Sequence, residues 1–439
     1  MEWPLVLLIV ILSLVILMAT GFPIAFGFLL INIVGMYIFF GGEAGLSQLV
    51  ISMFTTLGNF SLFAIPLFVL MGEVMFRSGL GLEVITILEK WMGRLPGRLG
   101  LLAVAAGTLF GATSGSTTAS TAMLGTLLTP EMEKHGYKKP ISIGTVMGSG
   151  GLAMIIPPSG FAVVLATIGE MSIGKLLIAG IVPGFIIALF YASYVILRCW
   201  LQPSVAPPYA FIPTPFREKI GPTVRMALPL ALIVFMVLGF IFLGLATPTE
   251  SAAFGVIGTL IMAAVYKKLK WKMLKESLLD TLTITAMILL IIAGARAFTQ
   301  ILAASGALMG LVGMVEGLNV APLVVVAVTQ IIVVLMGCFM SYVAIMMITL
   351  PVYIPIIVAL GYDPIWFGLL MLINLEMAQT TPPFGMLLFV MKGVAPPDTT
   401  LGDVIKAGYP FLLCDAATMI IVMFFPVLAL WLPDLMLKF

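Results

Sequence analysis

Apolar residues run along this chain in stretches long enough to cross a bilayer, and polar residues gather in short clusters between them. Leu5 to Met18 is nearly continuous aliphatic sequence, and similar runs follow to the C-terminus. A membrane-spanning helix needs about 20 apolar residues. Strands of a membrane barrel would alternate apolar and polar positions, which these runs do not. The pattern predicts an all-α integral membrane protein with about 10 transmembrane helices. Leu5 to Ala19 is followed at once by Thr20–Gly21–Phe22–Pro23 and a second apolar run, with no basic residue in front. It reads as a first span rather than a cleaved signal.

The chain repeats itself at a spacing of 225 residues. Ser116 matches Ser341, Ala119 matches Ala344, Pro130 matches Pro355, and Gly136–Tyr137 matches Gly361–Tyr362. Pro157–Pro158 matches Pro382–Pro383, and Gly160 matches Gly385. At slightly longer spacings Phe26–Gly27 matches Phe254–Gly255 and Ser78–Gly79 matches Ser305–Gly306. The expected organisation is a first repeat over 1–205, a linker over 206–222 and a second repeat over 223–439.

Loop charge orients the halves, because lysine and arginine favour the cytoplasmic side. Lys267, Lys268, Lys270, Lys272 and Lys275 share a loop whose counterpart, 41–48, has Glu43 and no basic residue. Residues 77–98 carry Arg77, Lys90, Arg94 and Arg98, while 304–319 carry only Glu316. Lys134, Lys138 and Lys139 lie in 131–139, against Asp363 alone in 356–364. Matched loops therefore face opposite sides, which makes the halves inverted-topology repeats with both termini outside. Such repeats place substrate and ion sites at their interface near mid-membrane.

Two re-entrant hairpins follow. The segment 99–130 lies between two basic loops, and its roughly 31 residues are too few for two spans and a turn. It should enter and return on one side, with its tip at the Gly- and hydroxyl-rich run 111–118. Segment 320–355 mirrors it, with its tip near Gly337–Ser341. Each hairpin precedes a broken span. Residues 141–169 are interrupted at Ile156–Gly160, and residues 365–391 at Thr380–Gly385. Paired prolines remove donors and push the preceding residue out of helix geometry. The breaks expose carbonyl oxygens, which suit a cation, and helix N-termini, which suit an anion.

Composition then narrows the chemistry. The chain is 62% hydrophobic and 9% charged, against about 25% charged in a soluble domain, so lipid is its solvent. A net charge of +2 gives no basis for nucleic-acid binding. Cys199, Cys338 and Cys414 are too dispersed for a disulfide framework or metal site. His135, the single histidine, falls in a charged loop. Gly169–Lys175 resembles a phosphate loop, but Leu176 replaces the magnesium-binding hydroxyl. No nucleophile is paired with a base, so an enzyme is not expected. Ionisable residues within spans are functional candidates. Arg296 needs a partner there, and Glu376 lies one turn before Thr380. Glu73 and Asp415 fall near expected span ends, where snorkelling accounts for them.

Sodium takes hard oxygen ligands. The first half offers Ser114, Ser116 and Thr117 with the carbonyls of Ala153 to Pro158, including Ile156. The second offers Gly337, Ser341, Thr380 and Thr381. The expected contacts for an anion are Thr117, Ser159, Asn374 and Gly385. The glycine pairs 107/111, 144/148 and 306/310 read as close helix packing.

These residues carry a family resemblance. Asn59–Gly72, Ser78–Gly79–Leu80, Phe110–Ser116, Ile156–Ser159 and Thr381–Pro383 together resemble the large membrane subunit of tripartite ATP-independent periplasmic (TRAP) transporters, over essentially the whole chain. The resemblance implies a scaffold domain and a mobile transport domain in the bacterial inner membrane, working as a sodium-coupled elevator. It implies two partners, a small membrane subunit and a soluble periplasmic substrate-binding protein, neither of them fused to this chain. It carries sodium ligation to Ser114, Ser116, the carbonyls near Ala153–Pro158, the tip at Gly337–Ser341, and Thr380–Thr381. Members often have an acidic residue in the second tip, where this chain has Ser341. Rival readings are a sodium symporter of divalent anions acting alone, a channel, and a non-transporting scaffold. C4-dicarboxylates, sialic acid, sugar acids and keto acids all suit a neutral polar site at helix N-termini.

Overall fold

The computed structural model describes residues 2–93, 95–208, 215–318 and 320–437. Residues 209–214 of the expected linker lie outside the described residues. The first half contains α1 (Trp3–Ala19), α2 (Ile24–Phe39), α3 (Glu43–Leu57), α4 (Ala64–Arg77), α5 (Leu80–Trp91), α6 (Arg98–Ser114) and α7 (Thr117–Lys134). It continues with α8 (Lys139–Gly151), α9 (Gly160–Ile168), α10 (Ile173–Ala179) and α11 (Ile181–Leu201). After α12 (Phe216–Pro222) come α13 (Leu228–Phe242), α14 (Pro248–Val265), α15 (Trp271–Ala304), α16 (Ala307–Glu316), α17 (Pro322–Gly337) and α18 (Tyr342–Ala359). The chain ends with α19 (Pro364–Thr380), α20 (Met386–Val394), α21 (Leu401–Phe424) and α22 (Val427–Asp434). Among the described residues seven helices are long and apolar enough to span a membrane, and shorter apolar helices accompany them. Large apolar side chains face outward, with Phe54 79% and Phe235 72% exposed. That surface is soluble only in lipid or against a partner.

Both hairpins are present as α6–α7 and α17–α18, and both broken spans as α8–α9 and α19–α20. Repeat-matched positions do the same local work. Ser116 and Ser341 each cap the second limb of a hairpin, accepting the N–H of Ala119 and of Ala344. Gly136 and Gly361 each take a left-handed φ, of 77° and 79°, which a side chain would disfavour. The halves are inverted. Arg77 ends α4, yet it pairs with Glu276 (3.0 Å) and Asp280 near the start of α15, the matched helix. Lys139 begins α8 and pairs with Asp398 (2.8 Å), just beyond the end of α20. The halves differ in detail: α3 and α4 are separated at Gly58–Asn59, while their counterpart α15 runs unbroken for 34 residues.

Two packed layers result. In one, α4 lies against α14 and α15, and α2 lies against α15. Phe28 meets Phe298 edge-on at 5.3 Å, and Asn32 donates to the Gly294 carbonyl at 2.7 Å. In the other, α8 is surrounded by α6, α7 and α21, and α19 by α17 and α21. Gly144 and Gly148 let α8 approach Ala407 and Phe411 of α21, and Gly107 seats Ser149. These glycines serve packing, as expected; Gly306 faces open space instead. The layers meet where α4 and α15 touch α6, α9 and α18.

Candidate functional site

The first hairpin turns at Gly115, in a left-handed φ of 57°. A β-carbon there would lie 3.5 Å from the Gly160 nitrogen and 3.7 Å from the Pro158 carbonyl oxygen, so the tip abuts the first break. Ser116 caps α7 and shares a 3.2 Å hydrogen bond with the Thr118 hydroxyl. Ser159 caps α9, and its hydroxyl donates to the Met154 carbonyl at 2.7 Å. Among the described residues no backbone N–H donates to the carbonyls of Ile155, Ile156 or Pro157. Ala153 is fully buried opposite Gly111. The Ser114 side chain lies outside the described residues.

The second site repeats this with different side chains. Ser341 caps α18, and Gly337 packs against Ala378. Thr380 and Thr381 both donate to the Met377 carbonyl, at 3.0 and 2.7 Å. A hydroxyl that spends its proton on a carbonyl keeps oxygen lone pairs for a cation. Gly385 precedes α20 and donates its N–H to the Thr381 carbonyl at 3.0 Å. Carbonyl oxygens at the breaks and hydroxyl oxygens at the tips are a donor set that fits sodium. Asn374 points elsewhere: its amide donates to the backbone and side-chain oxygens of Gln330, tying α19 to α17.

Gln379 joins the two sites, and the motifs did not identify it. Thr117, fully buried, donates to Gln379 Oε1 at 2.7 Å. Gln379 Nε2 donates to Met154 Sδ at 3.6 Å. Met154 and Gln379 are 225 residues apart and therefore repeat partners. Matched residues that touch must lie at the pseudo-twofold axis. The repeat register held the signal, since it sets a polar residue in α19 against a methionine in the first half.

Two cavities flank this axis. One, of about 180 Å³, is lined by Gly115, Ser116, Thr118, Gly160, Phe161 and Tyr342, with Glu73 on its scaffold side. The other, of about 210 Å³, is lined by Ser341, Tyr342, Gln379 and Phe384. Tyr342 borders both and meets Phe161 edge-on at 4.9 Å.

The ionisable residues sort differently from expectation. Asp415 does not snorkel. It is 1% exposed in the middle of α21 and accepts the Tyr191 hydroxyl at 2.5 Å. Glu376 is equally buried, against Gly151, and neither of its oxygens has a hydrogen-bond partner among the described residues. Glu73 pairs with Arg77 at 3.1 Å. Arg296 finds its partner in Glu170, at 3.2 Å.

Comparison with known proteins gives one family. A model described as "Tripartite ATP-independent periplasmic transporter, DctM component" matches residues 11–428. The chain is 34% identical to the C4-dicarboxylate TRAP transporter large permease protein DctM of Pseudomonas aeruginosa, over 88% of this chain and 89% of that one. It is 30% identical to the ectoine TRAP transporter large permease protein TeaC of Halomonas elongata, over 95% and 97%. The Alcanivorax borkumensis YdaH transporter has a similar fold, with TM-score 0.62, 16% identity and 88% of each chain covered.

Proposed function

The chain belongs to the DctM-component family of tripartite ATP-independent periplasmic transporters, and from that premise we propose that it is the large transmembrane subunit of a sodium-coupled importer of organic acid anions. It is a multi-pass protein of the bacterial inner membrane, and its family is a transport permease rather than an enzyme. The observation that carries the finer reading is the pairing of two hairpin tips with two broken helices, linked through Thr117 and Gln379.

Each half supplies one sodium site. Ser116 and the carbonyls of Ile155 to Pro158 form the first, with Ser114 and Ala153. Ser341, Thr380, Thr381 and Gly337 form the second. Neutral oxygen ligands leave the bound sodium's charge uncompensated, and an anion bound nearby balances it. The N-termini of α7, α9, α18 and α20 lie at the same tips and breaks, where their partial positive charge favours that anion. Thr117 and Ser159 are buried just behind Ser116, Thr118 and Gly160 of the cavity wall, Gly385 begins the second half of its break, and Tyr342 and Phe161 bound the space. Coupling follows because each ion makes the other's site favourable.

The layer of hairpins and broken spans moves as an elevator against the scaffold of α1–α5 and α13–α16. The scaffold's exposed apolar face receives the small membrane subunit and lipid. A periplasmic binding protein delivers the cargo. Dicarboxylates, sialic acid and sugar acids share the carboxylate that such a site recognises, and relatives named for C4-dicarboxylate and ectoine favour compact cargo.

The test begins by identifying the cargo, in a thermal-shift screen of the partner binding protein against organic acids. All three components then go into proteoliposomes. Uptake should collapse when external sodium is replaced by potassium at clamped voltage. Undiminished uptake in potassium would remove the sodium reading.

A further inference from the structure

A third cavity lies away from the tips, at the end of α15 opposite its lysine-rich start. It measures about 560 Å³ and separates the two layers. That is the size range of small-molecule sites, about 300–1,000 Å³. Ile292, Ala295, Arg296 and Thr299 present one face of α15 to it. Across from them is the turn between α9 and α10, which carries Glu170. These two are the charged residues among those lining the cavity.

Helix N-termini gather at this cavity. The continuous helices Phe60–Arg77 and Ile173–Leu201 both begin at its wall, as does α14. A helix N-terminus carries about half a positive charge. The α14 terminus is partly neutralised by Glu250, whose carboxylate takes the N–H and hydroxyl of Thr247 at 2.8 Å. The other two have neutral caps, Asn59 and Ser172. The Arg296 guanidinium adds a full charge; its side chain lines the cavity and is 49% exposed. Thr249, only 6% exposed, also lines the cavity. One carboxylate, Glu170 at 3.2 Å from Arg296, answers this field. It is held there on a left-handed φ of 53°, which is uncommon for a residue with a side chain.

We propose that this cavity is a receiving site for the carboxylate of an arriving organic acid, with Arg296 as its ligand and Glu170 as the internal carboxylate that fills it when empty. The inference rests on the import reading above. Arg296 belongs to the scaffold layer and Glu170 to the layer of hairpins and broken spans, so relative motion of the layers must part them. An arginine left alone at membrane depth is costly. A cargo carboxylate replaces Glu170 on the guanidinium, and the charge stays paired while the layers separate. Thr249 supplies a further hydroxyl donor to the same anion.

The test reads Arg296 directly and needs no sodium gradient, so its failure and the failure of the sodium reading are distinguishable. The full-length chain, purified with its small subunit, is treated with phenylglyoxal, which modifies arginine. Modification at Arg296 is followed by peptide mass spectrometry, with succinate as the probe and chloride at equal ionic strength as control. Succinate should slow modification and chloride should not. In Glu170→Gln, modification without succinate should be faster. The half-protecting succinate concentration should fall about two- to fivefold, the worth of an exposed ion pair. Glu170→Asn, which suits the left-handed backbone, repeats the test if the first variant folds poorly. Equal protection by chloride, or the same protection curve in wild type and both variants, would overturn the proposal.

Discussion

Replacing Thr117 by valine keeps the shape of the first hairpin tip and removes one hydroxyl. That hydroxyl is the 2.7 Å donor to Gln379 Oε1, between side chains 0% and 2% exposed. Without it Gln379 Oε1 is buried with no donor, which costs about 1–3 kcal/mol. Among the described residues the other end of the amide is held by the Met154 sulfur at 3.6 Å, a weak acceptor. Gln379→Met in the same background removes the stranded amide and fills similar volume. The double variant should therefore recover most of the loss, since replacing both partners by apolar groups is nearly neutral. The coupling between the two sites should be about 1–2 kcal/mol. The assay is reversible denaturant unfolding in bicelles, followed by tryptophan fluorescence, for wild type, both single variants and the double. If Thr117→Val is as stable as wild type, or the two single losses simply add, the bond does not join the halves as described.

Gly151→Ala would drive a methyl into the Glu376 carboxylate in a fully packed interior. It should lose about 1–3 kcal/mol in the same unfolding assay, whereas Gly313→Ala, with open space around it, should be neutral or stabilising. At the cytoplasmic face, hydrogen bonding from Lys139 holds the Asp398 carboxyl below its usual range. A lowered carboxylate keeps its contribution above the ordinary value and loses it as pH falls through the lowered one. Carbodiimide cross-linking of Lys139 to Asp398 should therefore persist down to about pH 4; loss of the cross-link by pH 6 would contradict the pairing.

The repeat, the hairpins and the breaks were legible because each leaves a mark in one dimension. Pro157–Pro158 and Pro382–Pro383 interrupt apolar runs, and lysine placement fixes sidedness. The structure has helix pairs α6–α7 and α17–α18 at the two tips and helix interruptions at both proline pairs. What sequence could not give were side-chain meetings between distant helices. Asp415 looked like a span-end residue because apolar periodicity does not mark helix ends, yet it lies mid-helix beside Tyr191. Asn374 sits under two turns from the second break, but helical rotation aims it at Gln330. Arg296 clearly required a partner, and nothing local identified Glu170, 126 residues earlier. Gln379 was hidden because α19 is buried on every face, so burial patterning could not separate its site-facing residues from its core.

The sodium dependence of uptake in Ser116→Ala and Thr381→Ala tests the central claim most directly. Each variant removes one hydroxyl oxygen from one of the two sites and leaves the other site in place. An unreplaced buried partner costs about 1–3 kcal/mol, or roughly 5- to 150-fold in apparent sodium affinity. Ser116→Ala also removes the α7 cap, so the amount of folded protein in the membrane is measured alongside. Two sodium sites, one in each half, predict that either variant raises the half-saturating sodium concentration and flattens the sodium titration. Titrations that superimpose on wild type for both variants, at equal folded protein, would contradict the assignment of sodium to these tips and breaks.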